Sequence, residues 1–485
     1  MLFRHPTSSP RSLQPASRER VLVSALALLA ALTCVWGAVG GHSLAEGRAP
    51  WEREPPPEPN YPDVSASVRW LASRLGSRDI VIIDARTPDA YDLGHIPGAL
   101  LLSPGLTSDT DALTRALGER GLTGRERLIC YGENSRSGRA ARLFWLLELA
   151  GAERVMLLEG GHEAWRDAGL ELTREVGEAP VATWAPKPRP DLLATREHVR
   201  RSFGVGGFEL LDARGRETWK GPLEQRDWGS TRRVGHIPNA LPFDWWDFFE
   251  PDGTLKSPSE SWFTFAELGP RPANPVDVSW EFIVYGGGSE GGEESGLVPS
   301  RDGMTGDGSS GGDLTDHETD DLTGEGALAY FLLRRAGVSR LRYYPGGWND
   351  WAGDDSLPVV RIIGARELQW RLKKSGGWFR RDAPPADFAL FDVRHPADYA
   401  RGHIPGAVNL RSDYFADSLD ARIERYWPSL NRSRAPVVTY CYGELCIRSR
   451  ATSTETARAG FVYAERFFGG VNEWRSIGGR IKTER

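Results

Sequence analysis

Val81-Ile82-Ile83-Asp84-Ala85-Arg86, Leu210-Leu211-Asp212-Ala213-Arg214 and Leu390-Phe391-Asp392-Val393-Arg394 are three versions of one pattern, an apolar run ending in Asp-x-Arg. Each reads as a short buried strand that stops at a polar turn. Downstream of each stands Gly-His-Ile-Pro-x-Ala, beginning at Gly94, Gly235 and Gly402, with Asp-to-His spacings of 11, 24 and 11. Later still, Gly-Gly-x-x-x-Trp recurs as Gly160, Gly161 and Trp165, as Gly346, Gly347 and Trp351, and as Gly469, Gly470 and Trp474. Three landmarks in the same order three times are an internal repeat. A chain of 485 residues has room for three such units at roughly 150 residues each.

Between the second and third landmarks each copy carries a strand-like run, a turn of small residues and a helical pattern. In the first copy Arg127-Leu128-Ile129 leads into Cys130-Tyr131-Gly132-Glu133-Asn134-Ser135, after which Ala140, Ala141, Leu143, Phe144 and Leu147 recur at helical spacing. Strands alternating with helices predict an α/β fold, a central parallel sheet flanked by helices in each copy, with functional loops at the carboxyl ends of the strands. The organisation expected is residues 65–176, 190–360 and 361–485 for the three copies. Residues 286–326 form an insert in the second copy, rich in Gly, Ser and Asp and expected to be disordered.

That insert also accounts for the charge. It holds eleven acidic residues against Arg301, a local charge of -10, so the rest of the chain carries +4 although the whole carries -6. Sixty Lys and Arg against 66 Asp and Glu argue against a nucleic-acid partner that needs a broad basic face. Nothing has metal-ligand spacing, and no cofactor is expected.

Val21 to Val39 is a run of nineteen uncharged residues, long enough to cross a hydrocarbon core as a helix. Residues 1–20 carry Arg4, Arg11, Arg18 and Arg20 against Glu19, which predicts a cytoplasmic N-terminus. Residues 21–39 are therefore expected to anchor the chain in the inner membrane by a single pass, and residues 40–64, with their Pro-rich stretch, to space an exported, periplasmic body from it. A cleaved signal peptide is the alternative, since small residues stand at Ala38-Val39-Gly40 and Ser43-Leu44-Ala45.

Four cysteines are too few for a disulfide scaffold, and Cys34 lies in the apolar run. Cys130 and Cys441 each open a Cys-Tyr-Gly-Glu segment, the second continuing Tyr442-Gly443-Glu444-Leu445-Cys446. A thiol on a strand-to-helix turn meets converging backbone N–H groups and the positive end of a helix dipole, which favours the nucleophilic thiolate. Aligned on that segment, the second copy has Val284 in place of the cysteine.

Asp-x-Arg, Gly-His-Ile-Pro-x-Ala, a loop opened by Cys and Gly-Gly-x-x-x-Trp together resemble the rhodanese, or sulfurtransferase, family over residues 65–485. The resemblance implies three tandem rhodanese-like domains and transfer of sulfane sulfur from a small anionic donor to a thiol or cyanide acceptor through a cysteine persulfide. Carried over residue by residue, the nucleophile is Cys441 or Cys130. The cradle is Tyr442, Gly443, Glu444, Leu445 and Cys446 in one loop, and Tyr131, Gly132, Glu133, Asn134 and Ser135 in the other. Arg136, six residues after Cys130, could clamp an oxyanion as in a Cys-x5-Arg phosphatase or oxyanion reductase, or be solvated; Arg448 is its nearest counterpart. Cys446 either resolves Cys441 as a disulfide or is the small residue that Ser135 represents in the first copy. A platform that carries sulfur or binds partners without catalysis is the remaining alternative.

Overall fold

The computed structural model describes residues 63–484 except 103–105, 178–179, 203–205, 222–232, 268–279, 289–323, 376–383, 411–414 and 445. The apolar run at residues 21–39 and nearly all of the acidic insert lie outside the described residues. Among the described residues no helix is long and apolar enough to cross a membrane.

Three parallel sheets follow one another along the chain. The first contains β1 (Ser65–Ala66), β2 (Ile80–Asp84), β3 (Leu100–Leu101), β4 (Arg127–Tyr131) and β5 (Val155–Leu158) in the order β1-β5-β4-β2-β3. The second contains β6 (Phe208–Asp212), β7 (Ala240–Pro242), β8 (Glu281–Tyr285) and β9 (Leu341–Tyr344) in the order β7-β6-β8-β9. The third repeats the first, with β10 (Val359–Ile363), β11 (Ala389–Asp392), β12 (Val408–Asn409), β13 (Val437–Tyr440) and β14 (Tyr463–Phe467) in the order β10-β14-β13-β11-β12. The central strands are apolar throughout because helices cover both faces, as in Ile82, Ile83, Leu128 and Ile129, all buried.

The helix after each central strand decides how the sheets meet. Helices Gly138–Leu149 and Glu325–Arg335 are apolar on most sides, and they pack against each other, with Phe144 edge-on to Phe331 at 5.3 Å. Their glycine starts allow close approach, since a Cβ on Gly324 would lie 2.3 Å from Gly138 Cα. Within this contact Glu148 accepts from Tyr330 Oη at 2.8 Å and pairs with Arg334 at 2.8 Å. The third copy differs: Ile447–Arg458 reads IRSRATSTETAR, and its buried Thr452, Ser453 and Thr456 return their hydroxyls to carbonyls on the same helix. Arg450 reaches the second sheet at Glu209 and at Asn239 O. β10 joins the last two sheets, because Val360 exchanges backbone hydrogen bonds with His236 while β10 pairs with β14. The division expected at residue 360 falls inside this strand.

The recurring motifs are one bracing network. Arg86 forks onto Asp84 and donates to Gly94 O at 2.9 Å, tying the end of β2 to the Gly-His-Ile-Pro turn. Arg214 and Arg394 do the same for Asp212 with Gly235 O and for Asp392 with Gly402 O. His95, His236 and His403 place Nδ1 at 2.8–2.9 Å from the carbonyls of Tyr91, Trp219 and Tyr399, so all three serve the turn. Arg394→Ala leaves Asp392 buried without its cation. We expect a loss of about 3–5 kcal/mol in chemical denaturation of the third domain, and an unchanged midpoint would show the fork to be dispensable.

Candidate functional site

The strand register aligns the three copies residue by residue. Asp84 faces Tyr131, Asp212 faces Tyr285 and Asp392 faces Tyr440. In each case the tyrosine hydroxyl receives the backbone N–H of the Ile in Gly-His-Ile-Pro, from Ile96, Ile237 and Ile404 at 3.0–3.2 Å. The residue after the tyrosine is therefore equivalent in all three: Gly132, Gly286 and Cys441. Its carbonyl is held in the same way each time, by His162 N at 2.9 Å, Trp348 N at 2.9 Å and Val471 N at 3.0 Å.

This register corrects the sequence alignment by two residues. Cys130 faces Ile83 and Val284 faces Leu211, as Thr439 faces Phe391, so Cys130 is the counterpart of Thr439 and not of Cys441. Cys130 lies within β4, fully buried in the shared core of the first two sheets, and burial pushes its thiol well above the ordinary range. A thiol there is a small apolar filler, so neither persulfide chemistry nor a Cys-x5-Arg phosphate loop can be centred on it. Arg136 is likewise no clamp for that thiol. Its guanidinium lies over the Trp246 ring at 5.2 Å, while the Arg136 backbone N–H donates to Asn134 Oδ1 at 3.0 Å.

The remaining residues of the first loop are spent on holding it closed. Ser135 Oγ accepts from Gly160 N at 2.6 Å, Glu133 O accepts from Glu163 N, and Asn134 Nδ2 reaches the Glu163 carboxylate at 3.4 Å. A Cβ on Gly132 would sit 2.1 Å from Ser137 Oγ, so this loop has no room for a side chain at the aligned position. In the second copy the space beside Gly286 is taken by Glu325, whose carboxylate accepts from Gly287 N at 3.1 Å. Burial raises the Glu325 pKa to about 7.

Only the third copy places a thiol at the end of its central strand, on the turn leading into Ile447–Arg458. Cys441 is bonded there to Cys446 as a disulfide with Cα atoms 6.2 Å apart. Cys446 is the N-cap of that helix and makes no side-chain capping bond, whereas its counterpart Ser137 accepts from Ala140 N. The small-residue reading of Cys446 is thus also shifted, from Ser135 to Ser137. The loop is supported from below by Gly470, whose φ is +57° and whose missing Cβ would lie 2.5 Å from Cys441 O. Asn472 N donates to Tyr442 O at 3.1 Å. The backbone N–H groups of Tyr442, Gly443 and Glu444 have no acceptor among the described residues, and Leu445 lies outside them.

Cations ring this loop. Arg394 lies under the Tyr442 ring at 5.6 Å, and Tyr442 Oη donates to Asp398 Oδ2 at 2.5 Å. Burial raises the Tyr442 phenol, with Arg394 and the exposed Arg448 pulling the other way. Arg466, which the sequence reading passed over, donates to Ser449 Oγ at 3.3 Å, and Ser449 Oγ donates to Cys446 O at 3.2 Å. Burial and the neighbouring Arg450 lower the Arg466 pKa to about 9. Its signal was the charged pair Glu465-Arg466 inside a buried strand.

Gly470→Ala tests the support. The added methyl collides with main-chain atoms of Cys441, Tyr442 and Gly443. We expect a loss of about 1–3 kcal/mol in stability from the positive φ alone, together with at least about a tenfold loss of activity from displacement of the Cys441 turn. Activity equal to wild type would remove Gly470 from the site.

A parallel α/β sheet that presents a cysteine on a turn at the carboxyl end of its central strand defines a class of protein in which the turn is the reactive element. The family of rhodanese-like domains matches residues 67–168 and 377–477. The chain is 31% identical over 243 residues to a putative thiosulfate sulfurtransferase of Mycobacterium tuberculosis, covering 46% of this chain and 82% of that one. It is 27% identical over 317 residues to a thiosulfate sulfurtransferase of Corynebacterium glutamicum, covering 62% and 91%. A 3-mercaptopyruvate sulfotransferase structure from Escherichia coli aligns at 22% identity with a TM-score of 0.43, over 58% of this chain and 98% of that one. The chain belongs to the rhodanese-like family, and it is a sulfurtransferase.

Proposed function

We propose that the third rhodanese-like domain moves sulfane sulfur from a small anionic donor of the thiosulfate or mercaptopyruvate type to a thiol or cyanide acceptor, through a persulfide on Cys441. The observation that carries this reading is that Cys441 alone among the three aligned positions is a cysteine. The Cys441 thiolate attacks the outer sulfur of the donor, the donor's bond to that sulfur breaks, and sulfite or pyruvate departs. The N–H groups of Tyr442, Gly443 and Glu444 receive the persulfide anion, as amides at a helix start do for other anions. The acceptor then takes the outer sulfur and restores the thiolate. The first two copies act as scaffold, one with Gly132 and Ser137 in contact and the other with Glu325 filling its loop.

Isotopically labelled thiosulfate and mercaptopyruvate test the reading on the reduced Cys446→Ser protein, where no second thiol of the same loop competes. Peptide mass spectrometry is expected to find one added sulfur on the Cys441 peptide. Labelling of Cys130, or of neither cysteine with either donor, sinks it.

The membrane anchor belongs to the same proposal. The uncharged Val21–Val39 run behind an Arg-rich start supports a single-pass anchor with the sulfurtransferase body in the periplasm. Full-length protein should stay with membranes through carbonate extraction, and deletion of residues 1–39 should release it. Recovery of full-length protein in the soluble fraction overturns the anchor.

A further inference from the structure

We propose that Cys446 resolves the Cys441 persulfide within its own loop, so that sulfur leaves this chain as free hydrosulfide and an external dithiol reopens the resulting disulfide. The inference rests on the persulfide reading above and names the fate of the sulfur.

Three observations carry it. Cys446 Sγ is bonded to Cys441 Sγ, so the loop lets the second thiol reach the inner sulfur, the atom that carries the outer sulfur in a persulfide. The approach belongs to the loop itself, because the first copy, which has no cysteine at either position, aims the missing Cβ of Gly132 at Ser137 Oγ, 2.1 Å away. Finally, Cys446 occupies a helix N-cap where the first copy has a capping serine, and it makes no capping bond. Replacing a capping Ser by a residue that does not cap weakens the start of the helix. A cysteine kept there without capping serves its neighbour.

The chemistry balances. With thiosulfate, Cys441 first forms a persulfide and sulfite leaves. Cys446 thiolate then attacks Cys441 Sγ; the new Sγ–Sγ bond forms, the bond from Cys441 Sγ to the outer sulfur breaks, and that sulfur departs with the electron pair as hydrosulfide. The departing sulfur takes up one proton, which matches the one lost from Cys446, so the persulfide anion and the Cys446 thiol together give the disulfide and hydrosulfide. An external dithiol, a small thiol reagent or a protein dithiol, then attacks the disulfide, is itself oxidised and returns both cysteines to thiols. Hydrosulfide is the conjugate base of an acid stronger than an alkyl thiol, so it is the better leaving group at the inner sulfur. The attack closes a short loop already folded for it, and so competes with acceptors that must diffuse in.

A single-turnover experiment on the full chain tests this. Reduced protein, freed of reductant under anaerobic conditions, receives thiosulfate or mercaptopyruvate. Sulfite or pyruvate, trapped hydrosulfide and the thiol state of each cysteine are then read together. Wild type is expected to release about one equivalent of hydrosulfide per chain and to end with Cys441 joined to Cys446. Cys446→Ser, which restores the residue found at the aligned Ser137, is expected to form sulfite or pyruvate, to retain the persulfide, and to release at least about tenfold less hydrosulfide. Cys446→Ala repeats the measurement without a hydroxyl. A wild type that forms the first product but keeps its persulfide and both thiols overturns the resolving role while leaving the persulfide reading intact. Absence of sulfite and pyruvate from all three proteins overturns both.

Discussion

Cys441→Ser is expected to abolish sulfur transfer, a fall of at least about a thousandfold in turnover of thiosulfate or mercaptopyruvate with cyanide, because a serine hydroxyl at neutral pH supplies neither the anionic nucleophile nor the sulfur that bears the persulfide. Cys130→Ser is expected to leave that turnover within about twofold. Its effect should appear in stability instead. Cys130 is fully exposed to the core of the first two sheets and to no solvent, and an unpartnered hydroxyl placed there costs about 1–3 kcal/mol. The pair of variants thus separates chemistry from packing. Loss of activity in Cys130→Ser at a temperature where the variant remains folded would reverse the assignment of the two cysteines.

The second large effect concerns redox state. In the described form Cys441 is held in a disulfide with Cys446, so it has no thiolate to offer a donor. Protein oxidised to this form is expected to show at least about a hundredfold less sulfur transfer than the same protein after treatment with a dithiol, measured at equal concentration and pH. Cys446→Ser should be active without that treatment. Oxidised wild type that turns over donor at the reduced rate would mean either that the disulfide does not form in solution or that it does not close the site, and thiol counting on the same sample distinguishes these.

The position of these two cysteines also shows where sequence reading reaches its end. Asp-x-Arg, Gly-His-Ile-Pro-x-Ala and Gly-Gly-x-x-x-Trp were legible because each is a local solution to a fixed geometric demand. A carboxylate at a strand end needs its guanidinium, as Asp84 has Arg86. A loop packed against Gly161 or Gly470 can tolerate no Cβ there, with carbonyls of Gly132 and Cys441 each at 2.5 Å. Such requirements leave the same residues at the same spacing in every copy, so the sequence predicts the repeated α/β unit directly. The tryptophans follow the same logic: Trp165, Trp351 and Trp474 each donate Nε1 to a carbonyl six or seven residues on, at 2.8–2.9 Å, closing the end of a domain.

The cysteine at the turn was not legible in the same way. Thr439-Tyr440-Cys441-Tyr442-Gly443 contains two tyrosines, so it can be laid on Cys130-Tyr131-Gly132 by either. Matching cysteine to cysteine uses Tyr442 and looks better along the chain. Tyr440 is the correct match, since a tyrosine must lie beside Asp392 to receive Ile404 N, as Tyr131 does beside Asp84 for Ile96 N.

The composition and repeats by themselves determined that this chain carries parallel α/β units with cysteines near the strand-end turns, and that its body is slightly basic once the acidic insert is set apart. Tertiary structure alone decided which thiol occupies the turn. A shift of two residues along a strand keeps every side chain on its original face, so periodicity cannot detect it. The pairing of β13 with β11 can, because it fixes Tyr440 opposite Asp392 and leaves Cys441 as the first residue beyond the sheet.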